Sequence, residues 1–364
     1  MTSKWTDFGN IWGTLRELDV SAIREEAERS LTIVCVGHQA ALDEIDRMLL
    51  SNDQKYGPTG ANPLVLVPLA QSPEQSAPLN QADMLIFGVD ARTPLSEAEA
   101  DAFERLERFS LPFVVVLFHG TRPAGAALPR SIAGQTVTIA DPQAPAATDR
   151  LAQALLERLP GELHLAAARR LPGVRATVGR DLINTTSFTN ATYALASGLP
   201  EQIPIIGVPF AAADILVLTK NQALLVYRLA LAYGAPPDFQ ARIREVIPVI
   251  GGAFLWRQAA RSLIGLIPIW GLVPKIAIAY AGTYTTGVAA ARWFASGEMA
   301  SSDQLKRILS DARARGRERA RELIARARPA KKGADANPSG EEQTAGIGAR
   351  IRRLLPGRHN QDDQ

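Results

Sequence analysis

One cysteine and four histidines are all that 364 residues offer to redox or metal chemistry. Cys35 lies inside an apolar run, so no intrachain disulfide can form and no multi-cysteine metal site can be built. A reducing compartment suits such a chain. His38, His119, His164 and His359 stand at no metal-ligand spacing with other ligand types, and no G-x-S-x-G turn presents a serine nucleophile. Neither metal nor cofactor is expected. The opening stretch, MTSKWTDFGNIWGTLRELD, lacks the basic start and the continuous apolar run of a secretory leader. The sequons at Asn184 and Asn190 are therefore read as incidental.

A large excess of either charge is also missing. The net charge is +3, with 46% hydrophobic and 21% charged residues, a balance that can build cores and excludes wholesale disorder. The basic residues are nevertheless concentrated. Eleven Lys/Arg face four Asp/Glu between Asp303 and Lys332, so that segment alone carries +7.

What the first half does contain is a series of strand-length apolar runs: LTIVCV from Leu31, PLVLVPL from Pro63, DMLIFGVD from Asp83, PFVVVLFH from Pro112 and TVTIA from Thr136. They are continuous rather than alternating, which fits strands covered on both faces, and helix-like stretches at 40–50, 95–109 and 146–159 separate most of them. A mostly parallel sheet with flanking helices follows. Thr93-Pro94, with Glu97 and Glu99 behind it, predicts a helix capped at Thr93. Leu15, Leu18, Ile23 and Ala27 predict another before the first strand.

A strand, a glycine and a helix in succession is where a phosphate-binding loop would read G-x-x-x-x-G-K-[ST]. From Gly37 the sequence reads GHQAALDE, with Leu42 for the second glycine, Asp43 for the lysine and Glu44 for the hydroxyl residue. A carboxylate in the lysine's place would repel phosphate by ~4 kcal/mol at about 4 Å and an effective dielectric of about 20. The fourth run, LPFVVVLFHGT, ends with Phe118, His119, Gly120 and Thr121 where a guanine-specifying N-K-x-D would lie. The D-x-x-G expected after the second run is absent, Pro68-Leu69-Ala70-Gln71 standing there. His119 is the histidine best placed for function, at the carboxyl edge of a strand.

On the stretches REEAERSLTIVCVG, ADMLIFGVDA and LPFVVVLFHGT, residues 5–298 resemble an Era-like GTPase domain joined to the domain of unknown function 697, as in YcjF-like membrane-associated proteins. The second part of the resemblance rests on LTKNQALLVYRLALAYG and LIGLIPIWGLVPK. It implies a P-loop-GTPase-like fold that has lost its nucleotide contacts, a membrane location, an active GTPase as candidate partner and no reaction. Another doubly wound α/β domain is the alternative ancestry.

From Asp181 the chain turns rich in Ala, Leu, Ile and Gly. Residues 263–284 are long enough to span a bilayer but contain Pro268, Pro274 and Lys275, so a hairpin turning at PIWGLVP, with Trp270 near the interface, is expected instead. Ala279, Thr283, Gly287 and Ala291 recur every fourth residue, a spacing that admits a second helix closely and suggests homo-oligomers. Beyond them LKRILSDARARGRERARELIARARPAKK reads as a basic helix suited to an anionic leaflet, with Lys275, Arg313, Arg315, Arg317, Arg319 and Arg321 as the membrane-facing cations. No aromatic residue interleaves that run, which disfavours nucleic acid.

The expected organisation is a degenerate GTPase-like α/β domain over 1–160, a connector over 161–180, a helical domain over 181–300, a basic helix over 301–332 and a disordered tail over 333–364. The expected role is a non-catalytic scaffold on the cytoplasmic face of a membrane. Residual nucleotide binding, or a soluble bundle whose tail binds nucleic acid, are the alternatives.

Overall fold

The computed structural model describes residues 18–51, 53–71, 78–122, 124–130, 134–197, 212–249 and 272–327. All five apolar runs are strands. β1 (Ile33–Gly37), β2 (Leu64–Pro68), β3 (Met84–Asp90), β5 (Phe113–Phe118) and β7 (Thr136–Ile139) form one parallel sheet in the order β2-β1-β3-β5-β7; β4 (Pro94–Leu95) and β6 (Ala124–Gly125) make a small separate ladder.

The runs are continuous because alternate residues face different cores. Val34, Val36, Leu85, Phe87, Val115 and Leu117 pack against α3 (Glu97–Glu107), where Phe87 meets Phe103 at 4.9 Å between ring centres. Ile33, Cys35, Met84, Ile86, Val114 and Val116 meet α2 (Gln39–Leu50) and α4 (Ala147–Leu156) on the other face. Before the sheet, α1 (Ser21–Glu28) buries Ile23 and Ala27. Leu15, expected on the same face, lies outside the described residues.

The cap of α3 differs from expectation. Ser96 accepts the Glu99 N–H while the Glu99 carboxylate takes the Ser96 N–H, a capping box that satisfies two donors at once. Thr93-Pro94 therefore precedes the helix, and Pro94 enters the β4 ladder.

The second core does not stop at the sheet. It continues through α5 (His164–Arg170), α6 (Arg175–Ala196), α7 (Ala212–Ala232), α8 (Phe239–Val249) and α9 (Leu272–Ser296), taking in Val178, Leu229, Phe239 and Phe294. The stretch expected as a connector is folded into this core: Leu163, Leu165, Ala167, Ala168, Leu171 and Val174 are all buried.

Three arginines of that stretch tie the two halves together. Arg175, fully buried, uses all five of its N–H groups: Nε on Ala168 O, Nη1 on Gln54 Oε1 and Tyr56 O, and Nη2 on Gly57 O and Arg169 O, at 2.6–3.3 Å. Arg169 reaches the Leu231 and Ala235 carbonyls at the end of α7. Arg170 reaches those of Ala27 and Glu28 at the end of α1. Burial without a carboxylate holds the Arg175 guanidinium down to about 10. Gly234, at φ +84°, sits so close that a Cβ there would stand 2.8 Å from Arg175 Nη2.

Helices α6, α7, α9 and α10 (Ser302–Ala327) form a bundle. A polar layer crosses its middle: Asn190 Nδ2 donates to Thr283 Oγ1 at 2.7 Å, Asn221 Nδ2 to Asn190 Oδ1 at 2.7 Å and Gln222 Nε2 to Thr283 Oγ1 at 3.3 Å. Asn221 and Gln222, within the LTKNQALLVYRLALAYG stretch, thus fix helix register.

The small-residue stripe expected to bring copies together is occupied within the chain. Ala279 and Thr283 are buried, and a Cβ on Gly287 would lie 2.7 Å from Ile183 Cγ1. On α10, a Cβ on Gly316 would lie 2.8 Å from the Ala277 carbonyl, so α9 and α10 touch backbone to backbone. With Ala291 half-buried beside them, these positions pack within the protein's own bundle.

No helix among the described residues is long and apolar enough to cross a membrane. The PIWGLVP turn begins outside the described residues, as does Trp270. Its last residues, Leu272 to Pro274, are already the first turn of α9, where the missing N–H of Pro274 costs nothing.

Candidate functional site

In an open parallel sheet, ligands gather at the carboxyl edge where the strand order reverses, here between β1 and β3. Three side chains meet at that edge. Asp90 ends β3 with its side chain 2% exposed, His38 follows β1 and His119 follows β5.

Arg92 holds Asp90 by two bonds, Nε to Oδ1 at 3.1 Å and Nη2 to Oδ2 at 2.7 Å, and its own N–H donates to Oδ1 at 2.9 Å. These bonds keep the Asp90 carboxyl below the ordinary aspartate range. His38 Nδ1 accepts the Asp90 N–H at 3.2 Å, which places the neutral ring's proton on Nε2. That buried nitrogen has no hydrogen-bond partner among the described residues. His119 adopts φ +61°, with Nδ1 3.4 Å from Asp90 Oδ2 and no hydrogen bond to it.

Chemically, the set leaves two buried ring nitrogens, His38 Nε2 and His119 Nδ1, without a hydrogen-bond partner among the described residues. The carboxylate is neutralised by its own turn, and the inner histidine spends its acceptor on the backbone. Among the described residues, no group of three or more His, Cys, Asp or Glu is arranged to hold a metal ion.

The phosphate-loop positions fall elsewhere than the motif alignment suggested. β1 passes into α2 through His38 alone, so the positions from Gln39 to Glu44 are helix. Leu42 is buried in the core, Asp43 takes the Gln39 amide at 2.7 Å, and Glu44 is bridged by Arg47. A phosphate loop needs several non-helical residues whose N–H groups converge, and one residue cannot supply them. Backbone geometry therefore precedes charge as the difference from a phosphate site. Gly37 has its own local reason: a Cβ there would stand 1.9 Å from the Gly88 carbonyl oxygen. Phe118 is buried in the second core, while Thr121 is exposed beyond His119.

The basic positions separate as well. Arg315 lies over the Tyr284 ring at 4.9 Å and donates to its hydroxyl at 2.8 Å, Arg319 pairs with Glu322 at 2.9 Å, and Arg313 is half-buried and partnered. Arg317 and Arg321 are exposed. Lys275 donates to Ser197 Oγ at 3.1 Å, tying the start of α9 to the end of α6.

Sequence reasoning singled out His119 but missed Asp90, Arg92 and His38 as a group. The available signal was an Asp-Ala-Arg triplet closing an apolar strand. No protein-family model matches the chain, and no curated protein matches it.

Proposed function

We propose that the protein is a non-catalytic scaffold on the cytoplasmic face of a membrane: a GTPase-like α/β unit without a nucleotide site, carried on a helical bundle whose far end meets the bilayer. The observation that carries this reading is the gathering of chain ends at one pole. Arg175 starts α6 beside the sheet, so the helix ends about 30 Å away at the ordinary rise. Asn221 meets Asn190 while Leu229 and Tyr233 meet Gly179, so α7 runs antiparallel to α6, and the Lys275–Ser197 and Asn190–Thr283 bonds set α9 antiparallel to α6 as well. The far pole thus holds residues 197, 212 and 272, together with the end of α10, whose Ala320 and Leu323 pack on Ile276 and Leu195. From that pole leave the apolar sequence QIPIIGVPF and, before α9, the apolar sequence LIGLIPIWG. Lys275 in the first turn of α9 and Arg321 and Arg326 in the last turns of α10 stand at these helix ends, a charge that favours an anionic cytoplasmic leaflet. The carboxyl edge of the sheet is left for a protein partner, for which an active GTPase is our candidate.

The one-residue β1–α2 junction supports the absence of a nucleotide site. Membrane fractionation with high salt, then carbonate, then detergent tests the location. Retention through carbonate is expected; release by salt alone would replace the inserted pole with simple electrostatic attachment. A flat thermal-shift response to millimolar GTP and ATP is expected of the α/β unit, and a saturable rise in Tm would overturn that part.

A further inference from the structure

A groove of about 640 Å³ runs between the start of α1 and the turn that joins α7 to α8. Leu18 and Val20 line it from the α1 side, Pro236, Pro237 and Phe239 from the turn. Pro236 is exposed and Val20 and Pro237 are half-buried, so apolar surface is open there. The lining is held in place from behind. Tyr227 Oη and Arg24 Nη2 both donate to the Pro237 carbonyl, at 3.0 and 3.3 Å, and Asp238 Oδ1 accepts the Ala241 N–H at 2.9 Å. The Tyr227 and Phe239 rings meet edge to face at 5.2 Å, and Arg228 of α7 pairs with Glu26 of α1 at 3.1 Å.

We propose that the N-terminal segment of the same chain, residues 1–17, docks in this groove through an amphipathic face and covers it. Wound as a helix, Trp5, Phe8, Ile11, Trp12 and Leu15 fall within about 120° of arc and about 15 Å of length, with Thr6, Asp7, Asn10 and Thr14 opposite. Gly9, Gly13 and a length of about three turns make such a helix too weak to form alone in water, so the face needs a surface to order on. The groove supplies one. Its prolines have preset φ and its turn is already hydrogen-bonded, so little more has to be ordered on binding. Three aromatic side chains bring large flat apolar areas to it. The segment leaves from Leu18, itself a groove residue, so a short tether keeps it at an effective concentration on the order of millimolar, an advantage no separate partner has. Docked there, it bridges α1 and the α7–α8 turn, and a protein approaching this side must first displace it. The membrane reading is not needed for this.

The test uses the full chain with a bimane fluorophore on Gln240→Cys, an exposed groove position; the native Cys35 is buried and takes no label. Indole quenches bimane on contact, so the labelled chain should be quenched. Trp5→Phe/Trp12→Phe removes the quencher and keeps the apolar face, and the quenching should be lost. Phe8→Asp/Ile11→Asp keeps both indoles but sets carboxylates on the apolar face, and the quenching should be lost there too. Background from Trp293, which bonds Glu245 of α8, is common to all three chains. A single cooperative unfolding transition in each variant shows that the fold is kept. An unquenched label in the first chain would overturn the proposal. So would quenching that survives F8D/I11D, because the tether alone would then bring the indoles near. Quenching that fades on dilution, or that returns when labelled W5F/W12F chain is mixed with unlabelled parent, would put a second copy's segment in the groove and overturn it as well.

Discussion

Arg175 is a buried cation whose five donors are answered entirely by neutral oxygens, at the point where the sheet, α6 and the end of α7 converge. Arg175→Met would leave those acceptors buried and unpaired, and we expect a loss of about 3 kcal/mol or more in denaturant unfolding. Arg175→Lys should recover only part of it, because an ammonium has three donors in place of a planar five-donor fork. Asp90 gives a pH signature of its own. Arg92 holds its folded pKa below the ordinary value, so its contribution to stability is complete above the aspartate range and disappears as pH falls through the folded value. Tm measured from pH 7 down to pH 2 should therefore fall less steeply on the acid limb in Asp90→Asn than in the parent protein. An identical slope would show that Arg92 does not stabilise the charged form.

At the scale of single elements, the start of α3 shows how local chemistry chooses between two plausible caps. Thr93-Pro94 offers a hydroxyl and a preset φ, but Ser96 and Glu99 satisfy two backbone donors reciprocally. Ser96→Ala should cost ~1 kcal/mol by chemical denaturation, and Thr93→Ala clearly less. The polar layer of the bundle is another element-level device. Thr283→Val removes the acceptor shared by Asn190 and Gln222, leaving buried amides unpaired at ~1–3 kcal/mol. Adding Asn190→Leu should cost less than the sum of the two single changes, because the same bond is lost only once. An additive result would mean that the two residues do not act as a pair.

Over the whole molecule, the decisive feature is a core shared across the expected domain boundary. α2 packs its Met48–Leu49 turn against Gly173, where a Cβ would stand 2.2 Å from the Met48 carbonyl oxygen, and that face of the sheet continues into α6 and α7. A fragment ending at residue 160 should then expose this face. We expect collapsed amide dispersion in its NMR spectrum and association in solution, whereas a chain extended through residue 327 should be monodisperse in detergent. A well-dispersed fragment would show that the α/β unit is autonomous. The same shared core fixes the α/β unit on the bundle, so under the proposed function a partner at the sheet edge and a bilayer at the bundle end would be held at a set separation.

Local pattern by itself determined the five strands and their coverage on both faces, because a continuous apolar run needs two cores whatever surrounds it. It also determined the helix after β1: an apolar face from Ala41 to Leu49 already contradicts a phosphate loop over the same residues. Only the tertiary structure decided what each patterned surface meets. The stripe at Ala279, Thr283 and Gly287 invites any close helix, and whether that helix belongs to this chain or to a second copy depends on where the chain carries α6, α7 and α10. Arg169, Arg170 and Arg175 look like loop cations because their partners lie up to about 140 residues away, at helix ends that no short-range signal identifies. Periodicity records which face of an element is buried; the identity of its partner is set by long-range packing and by the need of every buried donor and acceptor to be paired.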